Sequence, residues 1–206
     1  MKSIIRQFRK VKNLFIIFRQ YLAFYERDFT APSPNFFKMK TLTHFAKKEG
    51  VWIETGTYMG GTTEYLAKRF PKVISIEPSD YFFDYAKTRL RSLRNVTLLK
   101  GSSEEQFENA LISSGTRVNI WLDGHYSEGN TFLGSSVTPI LDELNAVKKH
   151  KQKFDSMTLF IDDIRLFARS GNDDSGYPSF QLLLDWCSEN GFEWQIQNDI
   201  LIAEMV

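Results

Sequence analysis

Short apolar runs alternate with helix-like segments through the middle of the chain. The runs are rich in Val, Ile and Leu, which is typical of buried parallel strands. The predicted strands are Val51–Thr55, Val73–Glu77, Val96–Leu99, Val118–Leu122 and Met157–Ile161. The predicted helices are Thr62–Arg69, Tyr81–Leu93, Glu104–Ile112, Pro139–Lys149 and Pro178–Asn190. This alternation predicts an α/β fold with a doubly wound, mostly parallel sheet.

The end of the chain breaks the alternation. Phe192–Gln197 and Ile200–Met205 predict two further strands, and the residues between them, Asn198 and Asp199, favour a turn. Two strands joined in this way form an antiparallel hairpin. The sequence therefore predicts a seven-stranded, Rossmann-like sheet with a C-terminal antiparallel hairpin.

The beginning of the chain differs from the rest in charge. Residues 1–25 contain six basic residues and no acidic one, and their apolar residues recur at the spacing of an amphipathic helix. Two prolines in Ala31–Asn35 then end the helix. We expect a basic helical arm (1–30), a linker with a first helix (31–49) and a main domain (50–206). The arm is expected to pack on the main domain or to pair two subunits as a homodimer, with peripheral membrane contact as the second interpretation.

Composition narrows the function classes. The 206 residues include 26 Lys and Arg against 25 Asp and Glu, a net charge of +1, so nucleic acid is not an expected partner. The one cysteine, Cys187, allows neither an internal disulfide nor a thiolate zinc site. The apolar run Leu14–Phe18 is too short for a membrane span, which needs about 20 residues, or for a signal peptide. We expect a cytoplasmic protein.

A glycine-containing loop follows the first predicted strand. Glycines between Glu54 and Thr63 let the backbone turn sharply and approach a ligand. A dinucleotide-binding loop needs G-x-G-x-x-G, and Tyr58 stands where its second glycine belongs, so hydride transfer is the weaker interpretation. Glu77 ends the second predicted strand, where a carboxylate can accept hydrogen bonds from two ribose hydroxyls. The alternatives are that the glycines form a plain turn without a ligand and that Glu77 is an exposed acid at the end of its strand.

Acidic residues follow the fourth and fifth predicted strands. Asp123 and His125 come after the fourth strand, and Asp162 and Asp163 come after the fifth. Neighbouring parallel strands lie about 4.8 Å apart, so the three carboxylates can converge at one edge of the sheet. Because uncompensated carboxylates repel one another, a hard divalent cation is their simplest partner. The alternative is that they cap helices or are solvated.

The order of five βα units and a hairpin, together with these motifs, resembles the class I S-adenosylmethionine-dependent methyltransferases. Glu54 to Gly60 looks like the E-x-G-x-x-x-G loop of that family, which lies under the methionine part of the cofactor, with the acid facing its amino group. The resemblance implies that Glu77 binds the ribose and that Ser102 lies at the adenine edge. The cofactor-binding residues that it implies are Glu54, Gly56, Thr57, Tyr58, Gly60, Thr62, Glu77, Ser102 and Asp123.

A narrower resemblance concerns the acids. They are similar to the motifs of sugar O-methyltransferases of the macrocin O-methyltransferase type and of the cephalosporin-hydroxylase-like group, which have D-G-x-H after strand four and a paired acid after strand five. The resemblance implies Mg²⁺ bound by Asp123, Asp162 and Asp163, with Asp123 and His125 as catalytic residues and His125 as the base. Here His125 follows Asp123 by two residues rather than three.

Two long polar segments extend from the same predicted edge. Residues 126–138 and 165–178 are rich in Gly, Ser, Asn and Asp, and such loops commonly form substrate walls. Their polarity, with Asn130 and Asn172 to Asp174, favours a hydroxylated acceptor such as a sugar. The predicted function is metal-assisted O-methylation of a hydroxylated small molecule or sugar. An aminopropyltransferase-like enzyme of the same fold and a non-catalytic binding module are the alternatives.

Overall fold

The structure, a computed structural model, describes residues 2–123, 138–168 and 176–206, with side chains from residue 14 onward. Its strands are β1 (Val51–Thr55), β2 (Val73–Glu77), β3 (Val96–Lys100), β4 (Arg117–Leu122), β5 (Ser156–Ile161), β6 (Phe192–Gln197) and β7 (Ile200–Met205). Its helices are α1 (Lys2–Tyr25), α2 (Asn35–Phe45), α3 (Gly61–Ala67), α4 (Asp80–Leu90), α5 (Ser103–Ser113), α6 (Ile140–His150), α7 (Arg165–Ala168) and α8 (Phe180–Glu189), and Lys151–Lys153 forms a short 3₁₀ helix.

The strands form one sheet in the order β3-β2-β1-β4-β5-β7-β6. Strands β1 to β5 are parallel, and β7 is antiparallel to both β5 and β6. This confirms the predicted fold class, a doubly wound, mostly parallel sheet with a C-terminal antiparallel hairpin. The strand order reverses between β1 and β4. In sheets of this type, ligands bind beyond the carboxyl ends of the strands at such a reversal.

Both faces of the sheet are covered, because neighbouring residues of a strand point to opposite faces. Ile53 and Ile120 pack on one face with residues of α5, α6 and α8. Trp52 and Trp121 pack on the other face with residues of α2 and α3. Because both faces of the sheet are covered by apolar residues, the polar side chains of these strands come together at the carboxyl edge of the sheet. The candidate site lies at this edge.

Helix α1 does not pack its apolar residues on the sheet over the part whose side chains are described. Leu14, Phe15 and Phe18 are 65%, 61% and 57% exposed. Contact with the rest of the chain begins near the end of the helix, where the Phe24 ring lies 5.4 Å from that of Phe29 and 5.8 Å from that of Phe37. Packing on the main domain is thus not seen for residues 14–22. In the described part of the chain, none of the helices has the length and apolar character that crossing a bilayer requires.

One predicted loop begins with a helix. Residues 165–178 were expected to lack regular structure, but Arg165–Ala168 forms α7. The turn of the C-terminal hairpin stabilises its start, because Asp199 Oδ1 accepts a hydrogen bond from the Arg165 amide at 3.1 Å and the Asp199 carbonyl accepts one from the Ile164 amide at 3.1 Å. A cap supplied from a distant part of the chain leaves no signal in the local sequence. Residues 126–137 of the first predicted polar loop and residues 169–175 of the second lie outside the described residues.

Candidate functional site

The loop between β1 and α3 turns tightly at the carboxyl edge of the sheet. The amides of Gly56 and Thr57 both donate to the carbonyl of Ile76, at 3.1 and 3.0 Å, and this holds the loop against β2. Gly60 has a φ of 71°. A Cβ at Gly60 would lie 3.1 Å from Leu90 Cδ1. Glycine is needed here because any side chain would be both strained and crowded.

Glu54 is fully buried at the end of β1. Its Oε2 accepts hydrogen bonds from Thr63 Oγ1 at 2.5 Å and from Ser75 Oγ at 2.6 Å. Its Oε1 has no hydrogen-bond partner within the described part of the chain. Burial raises the pKa of Glu54 to about 7, although the two hydroxyl hydrogen bonds lower it. One carboxylate oxygen therefore remains for a further donor, such as an ammonium group or water.

Glu77 lies at the end of β2, as predicted, and has two backbone donors. Its Oε2 accepts from the Tyr58 amide at 2.6 Å, and its Oε1 accepts from the Ser79 amide at 3.0 Å. Burial raises the pKa of Glu77, and these two hydrogen bonds lower it. The carboxylate thereby fixes Tyr58, whose φ is 50° and whose ring lies 4.3 Å from that of Phe82. Each carboxylate oxygen can accept more than one hydrogen bond, so Glu77 keeps acceptor capacity for a ribose.

The other predicted loop residues lie around these two acids. The Thr57 hydroxyl is 2.5 Å from that of Ser75, so it is directed towards β2. Thr62 lies in the first turn of α3, but it is Thr63 that bonds to Glu54. Ser102 is the N-cap of α5, and its amide donates to Glu105 Oε2 at 3.2 Å. We call the carboxyl ends of β1 and β2, with the loop of residues 56–61, the glycine-loop edge.

A further buried carboxyl group, which the sequence analysis missed, lies beside this edge. Glu143 on α6 is hydrogen bonded to Ser103 and Thr55, and burial raises its pKa to about 7. It shares the buried face of its helix with Ile140 and Leu144. The sequence signal that could have found it is an acid at helical spacing among apolar residues.

The three predicted acids lie together at the ends of β4 and β5, and we call Asp123, Asp162 and Asp163 the acidic rim. The Asp162 amide donates to the Leu122 carbonyl at 3.1 Å, so the ends of β4 and β5 stay paired. The Asp123 amide donates to Thr55 Oγ1 at 3.3 Å, which connects the rim to the end of β1. The structure thus brings the three residues to one edge of the sheet.

A lysine from α2 lies between two of these acids. Lys38 Nζ is 2.6 Å from Asp162 Oδ1 as an ion pair, and it donates a hydrogen bond to Asp163 Oδ1 at 2.5 Å. Arg165 adds a second cation, with its guanidinium 2.6 Å from Asp163 Oδ1 and a further ion pair to the buried Asp199. The rim carboxylates are thus not uncompensated, as their pattern in the sequence suggested, because the chain supplies its own cations.

The charged groups of the rim shift one another's pKa values. Burial lowers the pKa of Lys38, but Asp162 and Asp163 raise it more, so its ammonium stays charged. Burial raises the pKa of Asp162 to about 6 in spite of Lys38. Burial and the charge of Asp162 raise the pKa of Asp123 well above its usual range. The ammonium is thus held in an environment that favours positive charge.

The described residues do not fit the predicted Mg²⁺ site. Mg²⁺ requires oxygen ligands at about 2.0–2.1 Å in near-octahedral geometry, whereas the position between Asp162 and Asp163 is taken by the Lys38 ammonium. Within the ranges that the structure describes, no cluster of three or more His, Cys, Asp or Glu side chains could hold a metal ion. Metal ligation by Asp123, Asp162 and Asp163 is therefore not supported.

Tyr177 is another rim residue that the sequence analysis missed. Burial raises its pKa to about 12, and the negative charges of Asp163 and Asp123 add to this shift, whereas the positive charge of Arg165 lowers the pKa. Its ring packs edge-on against Phe167 with centroids 5.2 Å apart. The predicted base, His125, lies outside the described residues, as do Gly124, Asn130 and residues 172–174.

Comparisons with known proteins agree with the fold. No protein-family model matches the sequence, and no curated protein matches it. Among solved structures, the chain is similar to the cofactor-bound protein Rv0187 from MTB (TM-score 0.58, 14% identity, covering 82% of this chain and 79% of that one). It is also similar to a candidate caffeoyl-CoA O-methyltransferase from Staphylococcus aureus (0.56, 14%, covering 100% and 98%) and to a methyltransferase from Geobacter sulfurreducens (0.55, 13%, covering 98% and 97%). The chain therefore has a Rossmann-like methyltransferase fold.

Proposed function

We propose that this chain is an S-adenosylmethionine-dependent methyltransferase that acts on a hydroxyl group of a small molecule or sugar. The observation that carries the proposal is the buried Glu54 carboxylate, which lies beside a loop whose turn depends on glycine. One oxygen of this carboxylate has no hydrogen-bond partner among the described residues. A cationic amino group is a suitable partner for such an oxygen. The methyltransferase fold supports the same conclusion.

The residues of the glycine-loop edge would hold the cofactor. When bound, S-adenosylmethionine supplies a methyl group that its sulfonium already activates. Glu77 accepts hydrogen bonds from the ribose hydroxyls with the lone pairs that its two backbone donors leave. The backbone of Gly56 to Gly60 lies under the methionine part, and Ser102 borders the adenine. Asp123 faces both the cofactor and the acceptor.

The acceptor hydroxyl is proposed to bind at the acidic rim beside Tyr177. Carboxylates and a phenol hydroxyl bond well to the several hydroxyls of a sugar, and the sequence segment that follows β4 is rich in polar residues such as Asn130. His125 is proposed as the general base, because an unperturbed imidazole titrates near pH 6.5 and can take the hydroxyl proton as the oxygen attacks the methyl group. A relationship to the macrocin O-methyltransferase type or the cephalosporin-hydroxylase-like group stays a prediction.

Calorimetry with S-adenosylmethionine tests the cofactor. We expect the wild-type chain to bind it and Glu77→Ala to bind it roughly 10- to 150-fold more weakly, since hydrogen bonds to a charged group are worth about 1.5–3 kcal/mol. Glu193→Ala, which removes an exposed acid of β6, is the control and should bind like the wild type. Unchanged affinity in Glu77→Ala, with both variants folded, would falsify the ribose assignment.

The same titration separates the alternative functions. An aminopropyltransferase-like enzyme would prefer decarboxylated S-adenosylmethionine, because that is the donor of its reaction. A non-catalytic module without cofactor affinity would bind neither compound. Tighter binding of the decarboxylated compound, or no binding of either, would contradict the methyltransferase proposal.

We further propose that α1 contacts an anionic membrane surface. Leu14, Phe15 and Phe18 are largely exposed, and residues 1–25 carry six basic residues without an acidic one. Apolar side chains beside basic ones favour the boundary of an anionic bilayer, to which each nearby Lys or Arg contributes about 1 kcal/mol. The same like charges oppose the approach of two α1 helices, so this surface favours lipid over a second subunit.

Co-sedimentation with vesicles tests this contact. We expect the full chain to bind vesicles that contain phosphatidylglycerol and to be released by high salt. The double variant Phe15→Glu and Phe18→Glu should lose binding, while Ile196→Glu, which changes an exposed apolar residue of β6, should keep it. Equal binding to neutral vesicles, or a dimer that the double variant abolishes without any lipid, would contradict the proposal.

A further inference from the structure

Lys38 differs from an ordinary surface lysine because its helix is fixed on both sides. Helix α2 buries Met39 and Leu42 against the sheet. Thr41 accepts a hydrogen bond from Asn198 Nδ2 at 2.8 Å, which ties α2 to the C-terminal hairpin. The Lys38 side chain is 11% exposed. Its ammonium is therefore held at the acidic rim by the fold rather than reaching it by chance.

The two acids are arranged to share this ammonium. Consecutive residues in an extended strand point to opposite sides, but Asp163 has a φ of 51°, which turns the chain directly after β5. Both Oδ1 atoms then lie within 2.6 Å of the same Nζ. Asp163 Oδ1 also accepts from Arg165, which keeps that carboxylate in place. The pair thus presents two oxygens to one cation.

The ammonium lies where a metal ion bridging these acids would have to lie. Carboxylate oxygens bind Mg²⁺ at about 2.0–2.1 Å and Ca²⁺ at about 2.3–2.6 Å. The two distances from Lys38 Nζ, 2.6 and 2.5 Å, lie within the calcium range. A cation of either kind between Asp162 and Asp163 would overlap the nitrogen, so metal and lysine exclude each other.

We propose that Lys38 is the built-in cation of the acidic rim, taking the place of the divalent metal that the acid pattern alone predicts. Lys38 acts as a positioning residue, because it holds Asp162 and Asp163 at the edge where the acceptor would bind. The exchange of lysine for metal does not rest on the proposed function. The consequence of the exchange, methyl transfer that needs no metal ion, does rest on the proposed function.

Binding of Mn²⁺ tests the exchange without any enzyme assay. Mn²⁺ prefers the same oxygen ligands as Mg²⁺, and free Mn²⁺ gives a paramagnetic resonance signal that is lost on binding. We expect no saturable binding to the wild type below about 1 mM, the weak end of the range for oxygen-ligand metal sites. Lys38→Ala should bind at least about tenfold more tightly, because it leaves two adjacent carboxylates without their ammonium.

The matched control is Lys47→Ala. Lys47 also pairs with an acid, Glu204, at 2.6 Å, but both side chains are 35% exposed. Its removal should create no metal site. Saturable Mn²⁺ binding by the wild type that Asp162→Asn abolishes would overturn the proposal, as would a folded Lys38→Ala that gains no binding over Lys47→Ala.

A thermal shift keeps the test decisive if the variant is unstable. We expect Mn²⁺ to raise the Tm of Lys38→Met and to leave that of the wild type unchanged, because the ion then replaces the missing charge. A purely structural role of the lysine stem would give no such rescue. If wild type and Lys38→Met respond equally to Mn²⁺, the proposal is wrong. Failure of S-adenosylmethionine to bind would refute the proposed function and leave this result intact.

Discussion

The glycine-loop edge and the acidic rim both place carboxylates at the carboxyl ends of parallel strands, but they satisfy them differently. Glu54 and Glu77 accept hydrogen bonds from hydroxyls and backbone amides, which carry no net charge. Asp162 and Asp163 pair with Lys38 and, in the case of Asp163, with Arg165. Neutral donors orient a carboxylate without cancelling its charge, whereas a buried cation cancels it.

This difference indicates what each region can bind. Among the described residues, the glycine-loop edge has no cation on Glu54 or Glu77 and has one carboxylate oxygen without a hydrogen-bond partner, so it can receive a cationic ligand or a pair of hydroxyls. The acidic rim already contains its counter-charge, so it does not need an external cation to be stable. Similar residue types at equivalent strand ends thus have different chemistry, and the distinction comes from residues outside the motifs.

Removing the cation of the rim should have the largest effect. We expect Lys38→Met to lower the free energy of unfolding at pH 8 by roughly 3–5 kcal/mol, the usual cost of breaking a buried ion pair by removing one partner. The loss should shrink at pH 5, where the carboxyl groups take up protons instead. Urea unfolding at both pH values measures it.

The matched change at the glycine-loop edge is Ser75→Ala. It removes one neutral donor to Glu54 and leaves the other, from Thr63, so we expect a loss of only about 1 kcal/mol. If the two variants lost equal stability, the contrast between charged and neutral partners would not hold.

The pH dependence of stability should reveal Glu54, a buried acid that pairs with no cation among the described residues. The pKa of Glu54 rises from an ordinary 4.5 to about 7 on folding. The folded state therefore favours the protonated form, so the stability due to this group is complete below pH 4.5 and is lost as the pH rises to about 7. The loss is about 3 kcal/mol, from about 1.4 kcal/mol per pH unit.

Glu54→Gln isolates this contribution, because an amide does not titrate. We expect the difference in unfolding free energy between Glu54→Gln and the wild type to shift by about 3 kcal/mol in favour of the variant between pH 4.5 and 8. Urea unfolding measures this difference. The pKa of Glu143 is also raised, but its contribution cancels in the difference because Glu143 is present in both proteins. A difference that stays constant with pH would contradict the assignment.

The fold and the glycine-loop edge could be predicted from the sequence because their signals are local. Buried parallel strands appear as short apolar runs, and the positions of Gly60 and Glu77 follow from the ends of those runs. The convergence of Asp123 with Asp162 followed from the parallel order of the strands. Each of these inferences needs only neighbouring residues and a general rule of sheet topology.

The charge balance of the rim could not be predicted in this way. Lys38 and Asp163 are 125 residues apart in the sequence, and only the packing of α2 brings them together. Arg165 and Asp199 meet through the C-terminal hairpin in the same manner. The sequence does contain one indication that Lys38 is buried, because Lys38 lies on the same helix face as Leu42. A lysine on an apolar face does not, however, identify the acid with which it pairs.

A single methyl group should test whether the glycine-loop edge depends on backbone shape. Gly60 has a φ of 71° and little room for a Cβ, so Gly60→Ala should cost about 1–2 kcal/mol in unfolding free energy. At Gly61, the first residue of α3, the nearest atom to an added Cβ is Arg89 Nη1 at 3.9 Å. Gly61→Ala should leave stability unchanged or raise it by less than about 1 kcal/mol. Thermal unfolding of both variants gives the comparison, and equal losses would contradict it.

The smallest effect is expected for an ion pair that lacks burial. Lys47 and Glu204 lie 2.6 Å apart, as close as Lys38 and Asp162, but both are 35% exposed. Solvent and salt screen such a pair, so Lys47→Met should cost at most about 1 kcal/mol, and less in high salt. Urea unfolding of Lys47→Met beside Lys38→Met, at low and high salt, measures how much of the rim's stability comes from burial. If Lys47→Met were as unstable as Lys38→Met, then proximity alone, rather than the dry environment of the rim, would account for the effect.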